Sequence, residues 1–332
     1  MIKKISLSLA GLLLLAVAMV YALMAYQVRQ PLTLAETTLL TVKPGAHAGS
    51  FSRSLVKKGW LGTRFYLRNY IRLHPSLAGL KAGTYQVTAG MSSLELVKLL
   101  VQGKEHQFTV TFIEGSTFKQ WLALLAEQPY LQQTLKNRSA REIAALLGLD
   151  VENPEGWFFP ETYAYTAGTS DLVILQRANK QMRGTLEELW RQRPDGLPYR
   201  SPYQALIMAS IIEKETRQLA EQPLIASVFI NRLRKRMRLQ TDPTVIYGLG
   251  ERYRGDIKRS HLREKTAYNT YRINGLPPTP IAMPGYSSLK AALNPASSDF
   301  LYFVSKGDGF HVFSKTLAEH NRAVRRYQLG KG

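Results

Sequence analysis

Residues 201–216 read Ser201-Pro202-Tyr203-Gln204-Ala205-Leu206-Ile207-Met208-Ala209-Ser210-Ile211-Ile212-Glu213-Lys214-Glu215-Thr216. The segment has the start signals of a helix: serine at the N-cap, proline at the first helical position, and a glutamine placed to close a capping box. At about 100° per residue, Leu206, Ala209, Glu213 and Thr216 share one stripe, while Glu215 points roughly 200° away from Glu213. A carboxyl group on an apolar stripe loses solvent, which favours its neutral form. Such an acid can donate a proton to a leaving oxygen. The plainer alternative is an exposed pair between Glu213 and Arg217, worth a few tenths of a kcal/mol. The pattern alone leaves both open.

Downstream, Ala226 to Leu233 is a second apolar helix that runs into Arg232, Arg234, Lys235, Arg236 and Arg238. Such a basic run is either a solvated face or a grip on an anionic polymer. In Leu239-Gln240-Thr241-Asp242-Pro243-Thr244, Thr241 or Asp242 is placed to cap a helix that has Pro243 at its start. Residues 266–271 concentrate hydroxyls and an amide, and residues 274–280 form a stiff, proline-rich loop. Tyrosines and asparagines at this density suit sugars, and they equally suit a tyrosine-rich core with turn asparagines. Toward the C-terminus, Leu301–Val304 and Phe310–Phe313 predict a hairpin about Gly307-Asp308-Gly309, and Thr316 with Glu319 predicts a capping box.

Upstream, Lys3 and Lys4 precede an uncharged run from Ile5 to Tyr26. It is long enough for a helix to cross a bilayer core of about 30 Å. The two lysines favour a cytoplasmic N-terminus. A signal peptide cleaved near Ala16-Val17-Ala18 is the rival reading. Either way the rest of the chain is expected outside the cytoplasm. Between these segments, residues 31–105 predict a strand (Leu39–Val42), two helices, a second strand (Gly83–Val87) and a helix (Leu94–Val101) capped by Ser92 or Ser93 and stopped by Gly103. Phe108–Ile113 and Phe118–Ala126 repeat the strand–turn–helix order, and Asn153-Pro154-Glu155-Gly156 marks a boundary.

The 332 residues carry 44 Lys and Arg against 24 Asp and Glu, a net charge of +20. The surplus is even, with 17 basic and 7 acidic residues in 1–150 and 27 and 17 in the rest, so each part carries +10. Such a charge calls for anionic neighbours. Export and the lack of a reading module argue against nucleic acid, leaving lipid headgroups and wall polymer. The absence of cysteine excludes disulfides and thiolate chemistry. The histidines show no ligand spacing and there is no phosphate loop, so no metal or organic cofactor is expected.

The strings 209–216, 226–233 and 239–248, together with Tyr268-Asn269-Thr270-Tyr271, Gly275-Leu276-Pro277-Pro278 and residues 155–163, closely resemble the MltG (YceG-like) family of endolytic murein transglycosylases. The resemblance covers about residues 155–322. It implies an α+β chain in three parts: a cytoplasmic start and transmembrane anchor (1–30), small LysM-like strand/helix modules (31–150), and a mainly helical, lysozyme-like catalytic domain with a C-terminal hairpin (151–332). It implies a single-pass protein of the bacterial inner membrane with a periplasmic catalytic domain and a peptidoglycan synthase as neighbour. The substrate implied is nascent peptidoglycan, cut between N-acetylmuramic acid and N-acetylglucosamine to leave a 1,6-anhydromuramyl end. The family's catalytic glutamate is placed on Glu213. A looser likeness to lysozyme-like lytic transglycosylases makes Gln240, Tyr268 and Asn269 candidates for the glycan groove, and Thr241, Asp242 and Tyr271 join them.

A lytic transglycosylase can work with one carboxyl group, because the attacking hydroxyl belongs to the sugar. Two other classes stay open. A muramidase-type hydrolase needs a second carboxylate, for which Asp242, Glu161 and Glu215 are available. A membrane-anchored, wall-binding protein without catalysis needs none.

Overall fold

The computed structural model describes residues 2–328 and 330, with the backbone alone for residues 2–7. The side chains of Lys3 and Lys4, the basis for expecting a cytoplasmic N-terminus, therefore lie outside the described residues. Among the described residues the chain is α+β, with thirteen α-helices and three two-stranded sheets. It divides into two compact units, residues 1–108 with 164–169, and residues 109–163 with 170–332.

The first unit begins with α1 (Ile2–Gln27), whose stretch Ser8–Gln27 is long and apolar enough to cross a membrane. A signal sequence would satisfy the same criteria. The helix end joins the fold directly: Met24, Val28 and Leu32 are buried, and the Val28 carbonyl accepts from Leu94 N and Ser93 Oγ. Next come β1 (Thr38–Val42), α2 (Ala48–Lys57), α3 (Phe65–Leu73), β2 (Gly83–Val87) and α4 (Ser93–Gln102). β1 and β2 pair antiparallel, from Thr38 opposite Val87 to Val42 opposite Gly83, and Leu40, Val42, Tyr85 and Val87 enter the core. α4 has the expected ends. Ser92 and Glu95 form a capping box, and Gly103 turns left-handed at φ 71° to stop the helix, as glycine does without a Cβ clash.

β3 (Phe108–Thr111) and β4 (Thr162–Tyr165) form the second sheet, and the chain passes between the units within these strands. Residues 109–150, read from the sequence with the N-terminal modules, pack in the second unit together with residues 151–163. The reason is aromatic and polar closure. In α5 (Phe118–Ala126), Trp121 stacks on Phe112 with centroids 3.6 Å apart, and Phe118 stacks on Phe158 at 5.3 Å. The Phe118 N–H donates to buried Glu155, and Asp171 accepts from the backbone N–H groups of Thr134 and Leu135. Glu155 is held near pKa 7 by its burial, against the opposing pull of its hydrogen bonds from Phe118 and Tyr247.

The second unit continues through α6 (Ala140–Leu146), α7 (Asp171–Gln192), α8 (Pro202–Glu215), α9 (Gln222–Arg234), α10 (Asp242–Leu249), α11 (Arg259–Arg263) and α12 (Tyr286–Leu293). The antiparallel hairpin β5 (Tyr302–Ser305) and β6 (His311–Ser314) and the helix α13 (Leu317–Tyr327) complete it. The hairpin lies one residue C-terminal of its expected place, and Thr316 and Glu319 make the expected capping box. α8 is the central element, in contact with α7, α9, α10 and α12. Every residue from Ala205 to Ile212 is buried. A helix enclosed on all sides has no single inward stripe, so sharing a stripe with Leu206 and Ala209 does not set Glu213 apart from Glu215. The capping box expected at Ser201 is not formed: Ser201 makes no side-chain cap, and Gln204 Oε1 accepts from Arg200 N instead.

Candidate functional site

The last turn of α8 places two carboxyl groups in different surroundings. Glu213 Oε2 accepts from Gly285 N at 3.0 Å and from Ser288 Oγ at 2.7 Å. Gly285 is the N-cap of α12 and has no side chain to satisfy the first turn, so a carboxylate from α8 performs the capping. Glu114 packs on the same glycine, where a Cβ would collide with its carboxyl group. Burial and the adjacent Glu213 charge raise Glu114 above the usual carboxylate range.

Glu215 lines a cavity of about 470 Å³, shared with Gln240, Asp242, Tyr271, Arg232 and His311. Thr241 Oγ1 donates to Glu215 Oε1 at 2.5 Å. Desolvation drives the Glu215 pKa up to about 7; the Thr241 bond opposes the rise, the Asp242 charge adds to it, and His311 and Arg232 pull it down. A carboxyl group perturbed in this way, in a cleft with convergent polar groups, has the properties of a general acid working near neutral pH. Sequence reasoning assigned Glu215 only the part of a second carboxylate. The run from Ala205 to Ile212 before it, apolar apart from Ser210, marks a helix without an outer face, and it does not say which of the two glutamates meets the cavity.

The cavity wall is built by the segment after α9. Arg232 is buried and turned inward, donating from Nε to the Leu301 carbonyl at 2.6 Å and from a terminal nitrogen to the Leu239 carbonyl at 2.7 Å. This fixes the turn at Gln240, whose φ of 52° is left-handed, an uncommon and strained state for a residue with a Cβ. Thr241 is the N-cap of α10, yet its hydroxyl makes no cap bond because it is committed to Glu215. Asp242 Oδ1 accepts from the Tyr271 hydroxyl at 2.7 Å, and the raised Tyr271 pKa, from burial and that bond, keeps the phenol protonated as donor. Across the cavity, His311 donates its backbone N–H to Glu221 and its Nδ1 lies 2.8 Å from the same carboxyl group. Tyr302 and Phe303 supply flat apolar surface.

The expected groove residues therefore divide. Gln240, Asp242 and Tyr271 share the cavity with Glu215, and Thr241 reaches the acid from behind while itself buried. Asn269 is buried, and its amide nitrogen lies within hydrogen-bond reach of the carbonyls of His261, Leu262 and Glu264, so it holds a turn. Tyr268 lies outside the cavity lining, tilted against Tyr247 with its hydroxyl 2.8 Å from Thr279 Oγ1. Glu161, the third carboxylate weighed, accepts from Gln181 elsewhere. The basic run also splits: Arg232 is structural, Arg234 donates to the Gly196 carbonyl, and Arg238 donates to the Tyr271 carbonyl. No group of His, Asp and Glu suited to a metal ion occurs among the described residues.

The sequence matches the profile of the YceG-like family over residues 40–326. It is 31% identical over 312 residues to an endolytic murein transglycosylase of Bacillus subtilis, covering 89% of this chain and 86% of the relative. A protein of the same description from Streptococcus pneumoniae is 24% identical over 87% of this chain, which spans 58% of that longer relative. The crystal structure of a putative YceG-like protein from Listeria monocytogenes aligns with 34% identity and a TM-score of 0.56, covering 86% of this chain and 99% of the other.

Proposed function

From the premise that this chain belongs to the YceG-like family, we infer that it is an endolytic murein transglycosylase, a lyase that cuts peptidoglycan glycan strands. The observation that carries the assignment of its chemistry is Glu215, a carboxyl group with a pKa near 7 on the wall of a polar cavity. Glu215 replaces Glu213 as the acid in this reading, because Glu213 is engaged in capping α12.

In the proposed reaction the protonated Glu215 donates to the glycosidic oxygen between N-acetylmuramic acid and N-acetylglucosamine as the bond breaks. The resulting carboxylate then takes the proton from the muramyl C6 hydroxyl, which closes onto C1 to give the 1,6-anhydro end. One group serves twice because the nucleophile is already part of the substrate, and intramolecular closure is favoured by proximity. Thr241 holds Oε1, so the proton travels on Oε2. Gln240 and the Asp242–Tyr271 pair are placed to hydrogen-bond sugar, and Tyr302 and Phe303 to lie against its apolar faces.

The β1–α2–α3–β2 order, with the two strands antiparallel, supports reading the first unit as LysM-like. A helix-borne acid surrounded by other helices supports the lysozyme-like reading of the second. α1 serves as a single-pass inner-membrane anchor with a cytoplasmic N-terminus, which leaves the cavity in the periplasm beside a peptidoglycan synthase. Asp242 in the same cavity keeps a hydrolytic reading testable. Digestion of uncrosslinked glycan by the full chain, with products read by mass spectrometry, decides between them. Anhydro ends are expected, and reducing ends carrying one added water would refute the lytic scheme.

A further inference from the structure

From Thr37 to Leu94 the sequence contains eight Lys and Arg and no Asp or Glu. Four of these cations, Arg53 of α2, Arg64 at the N-cap of α3, and Arg68 and Arg72 at the following four-residue steps within α3, line one concavity of about 480 Å³. Among the described residues none of the four forms an ion pair. Like charges gathered without a counterion repel, and an external anion is what relieves them.

The position of α3 says which anion. Its C-terminal end packs along α1: the His74 ring stacks with Tyr70 at 4.1 Å and with Tyr21 at 6.1 Å, and its Nε2 lies 3.3 Å from the Tyr21 hydroxyl. Leu73, 58% exposed, shares a surface hollow with Val17, Val20 and Tyr21. Met24 is buried in the first unit, so the continuously exposed part of α1 ends at Leu23, two residues or about 3 Å along the helix axis from Tyr21. If α1 spans the bilayer, the end of α3 dips to the depth where acyl chains meet headgroups. The arginines of α3 then stand at phosphate level.

We propose that Arg53, Arg64, Arg68 and Arg72 form a binding site for the phosphate of a phospholipid headgroup, in the leaflet where α1 ends. The site fixes the first unit flat against the membrane instead of leaving it on a free tether. The buried junction at Met24, Val28 and Leu32 gives the tether little slack. This inference rests on reading α1 as a membrane span.

The test uses the full chain in mild detergent, with lipid retention read by native mass spectrometry. Phosphatidylglycerol is the probe, diacylglycerol the phosphate-free control, and inorganic phosphate and soluble glycan strands the competitors. The wild type is expected to retain phosphatidylglycerol and not diacylglycerol, with retention falling as salt rises. The variant carrying R53Q, R64Q, R68Q and R72Q is expected to lose at least tenfold of the lipid-bound fraction, with its circular dichroism unchanged. If that variant fails to fold, Arg68→Gln alone and the wild-type salt dependence decide. Equal retention of diacylglycerol, retention indifferent to salt, or an unaffected folded variant would each overturn the site. Displacement by millimolar phosphate would make it a site for free anions, and displacement by glycan a wall contact; either refutes the lipid assignment. The same spectra give the intact mass. A chain lacking its first residues would refute the span, whereas an intact chain with salt-indifferent retention refutes the arginine site alone.

Discussion

The hydroxyl of Thr241 donates to Glu215 Oε1 at 2.5 Å, joining the N-cap of α10 to the last residue of α8. The cap gives up its own helix bond to do so. The acid is thereby held by a group 26 positions further along the chain, while desolvation maintains its high pKa.

Glu215→Gln is expected to abolish glycan cleavage, with a loss on the order of 10³-fold or more, since the amide can neither donate and then accept the proton nor be replaced by Asp242. Glu213→Gln, which keeps an acceptor for Gly285 and Ser288, is expected to stay within about tenfold of wild type in rate. Glu213→Ala is expected to lower stability by about 1–2 kcal/mol by removing the α12 cap. Rates on purified strands and thermal melts of the variants separate catalysis from capping. The assignment fails if the two Gln variants exchange behaviours.

The pH profile should respond in opposite directions to the two neighbours of the acid. Thr241 holds the Glu215 pKa down and the Asp242 charge pushes it up. Thr241→Val is therefore expected to move the alkaline limb of kcat/KM upward, and Asp242→Asn to move it downward. An Asp242→Asn enzyme that still makes anhydro ends excludes Asp242 as an obligatory base.

Arg232→Met should damage the site without touching substrate. The guanidinium donates to the carbonyls of Leu301 and Leu239 and is buried, so its removal leaves two acceptors unsatisfied and releases the Gln240 turn. A loss of roughly 3 kcal/mol in unfolding free energy is expected, together with a weaker KM. Denaturant melts and steady-state kinetics measure both.

Glu155 makes stability depend on pH in the sense opposite to a salt-bridged carboxylate. Its pKa is about 7 when folded, against about 4.3 for an unperturbed glutamate. Between these values the folded state binds more protons than the unfolded state, so stability is full below the lower value and is lost as pH rises through about 7. Glu155→Gln retains acceptor capacity for Phe118 N. It is expected to flatten the fall in unfolding free energy between about pH 4.5 and 7 by close to one proton's slope, about 1.4 kcal/mol per pH unit. Urea melts across that range measure it.

Local signals were legible wherever short-range chemistry decides. Ser92, Glu95 and Gly103 delimit α4, Thr316 and Glu319 start α13, and the alternation in Leu39–Val42 gives β1, which begins one residue earlier at Thr38. The same signals failed where a side chain had a distant partner. Ser201 and Gln204 have capping-box spacing but do not form the box, and Thr241 caps in position while bonding elsewhere. Asn269 sits in a sugar-like tyrosine setting, and its amide is spent on three carbonyls of the preceding turn.

Composition and order along the chain were enough to determine an apolar N-terminal helix, an α+β body, a cationic surface without thiol chemistry, and membership of a peptidoglycan-cutting family. Which of two glutamates two residues apart faces the cavity was decided only by tertiary structure. α8 is enclosed by four other helices, so its periodicity carries no sidedness. The character of each carboxyl group depends on what packs opposite it: the bare N-terminus of α12 for Glu213, and Thr241, Asp242 and open space for Glu215. Those partners come from 26 to 75 residues away, beyond the reach of any local pattern.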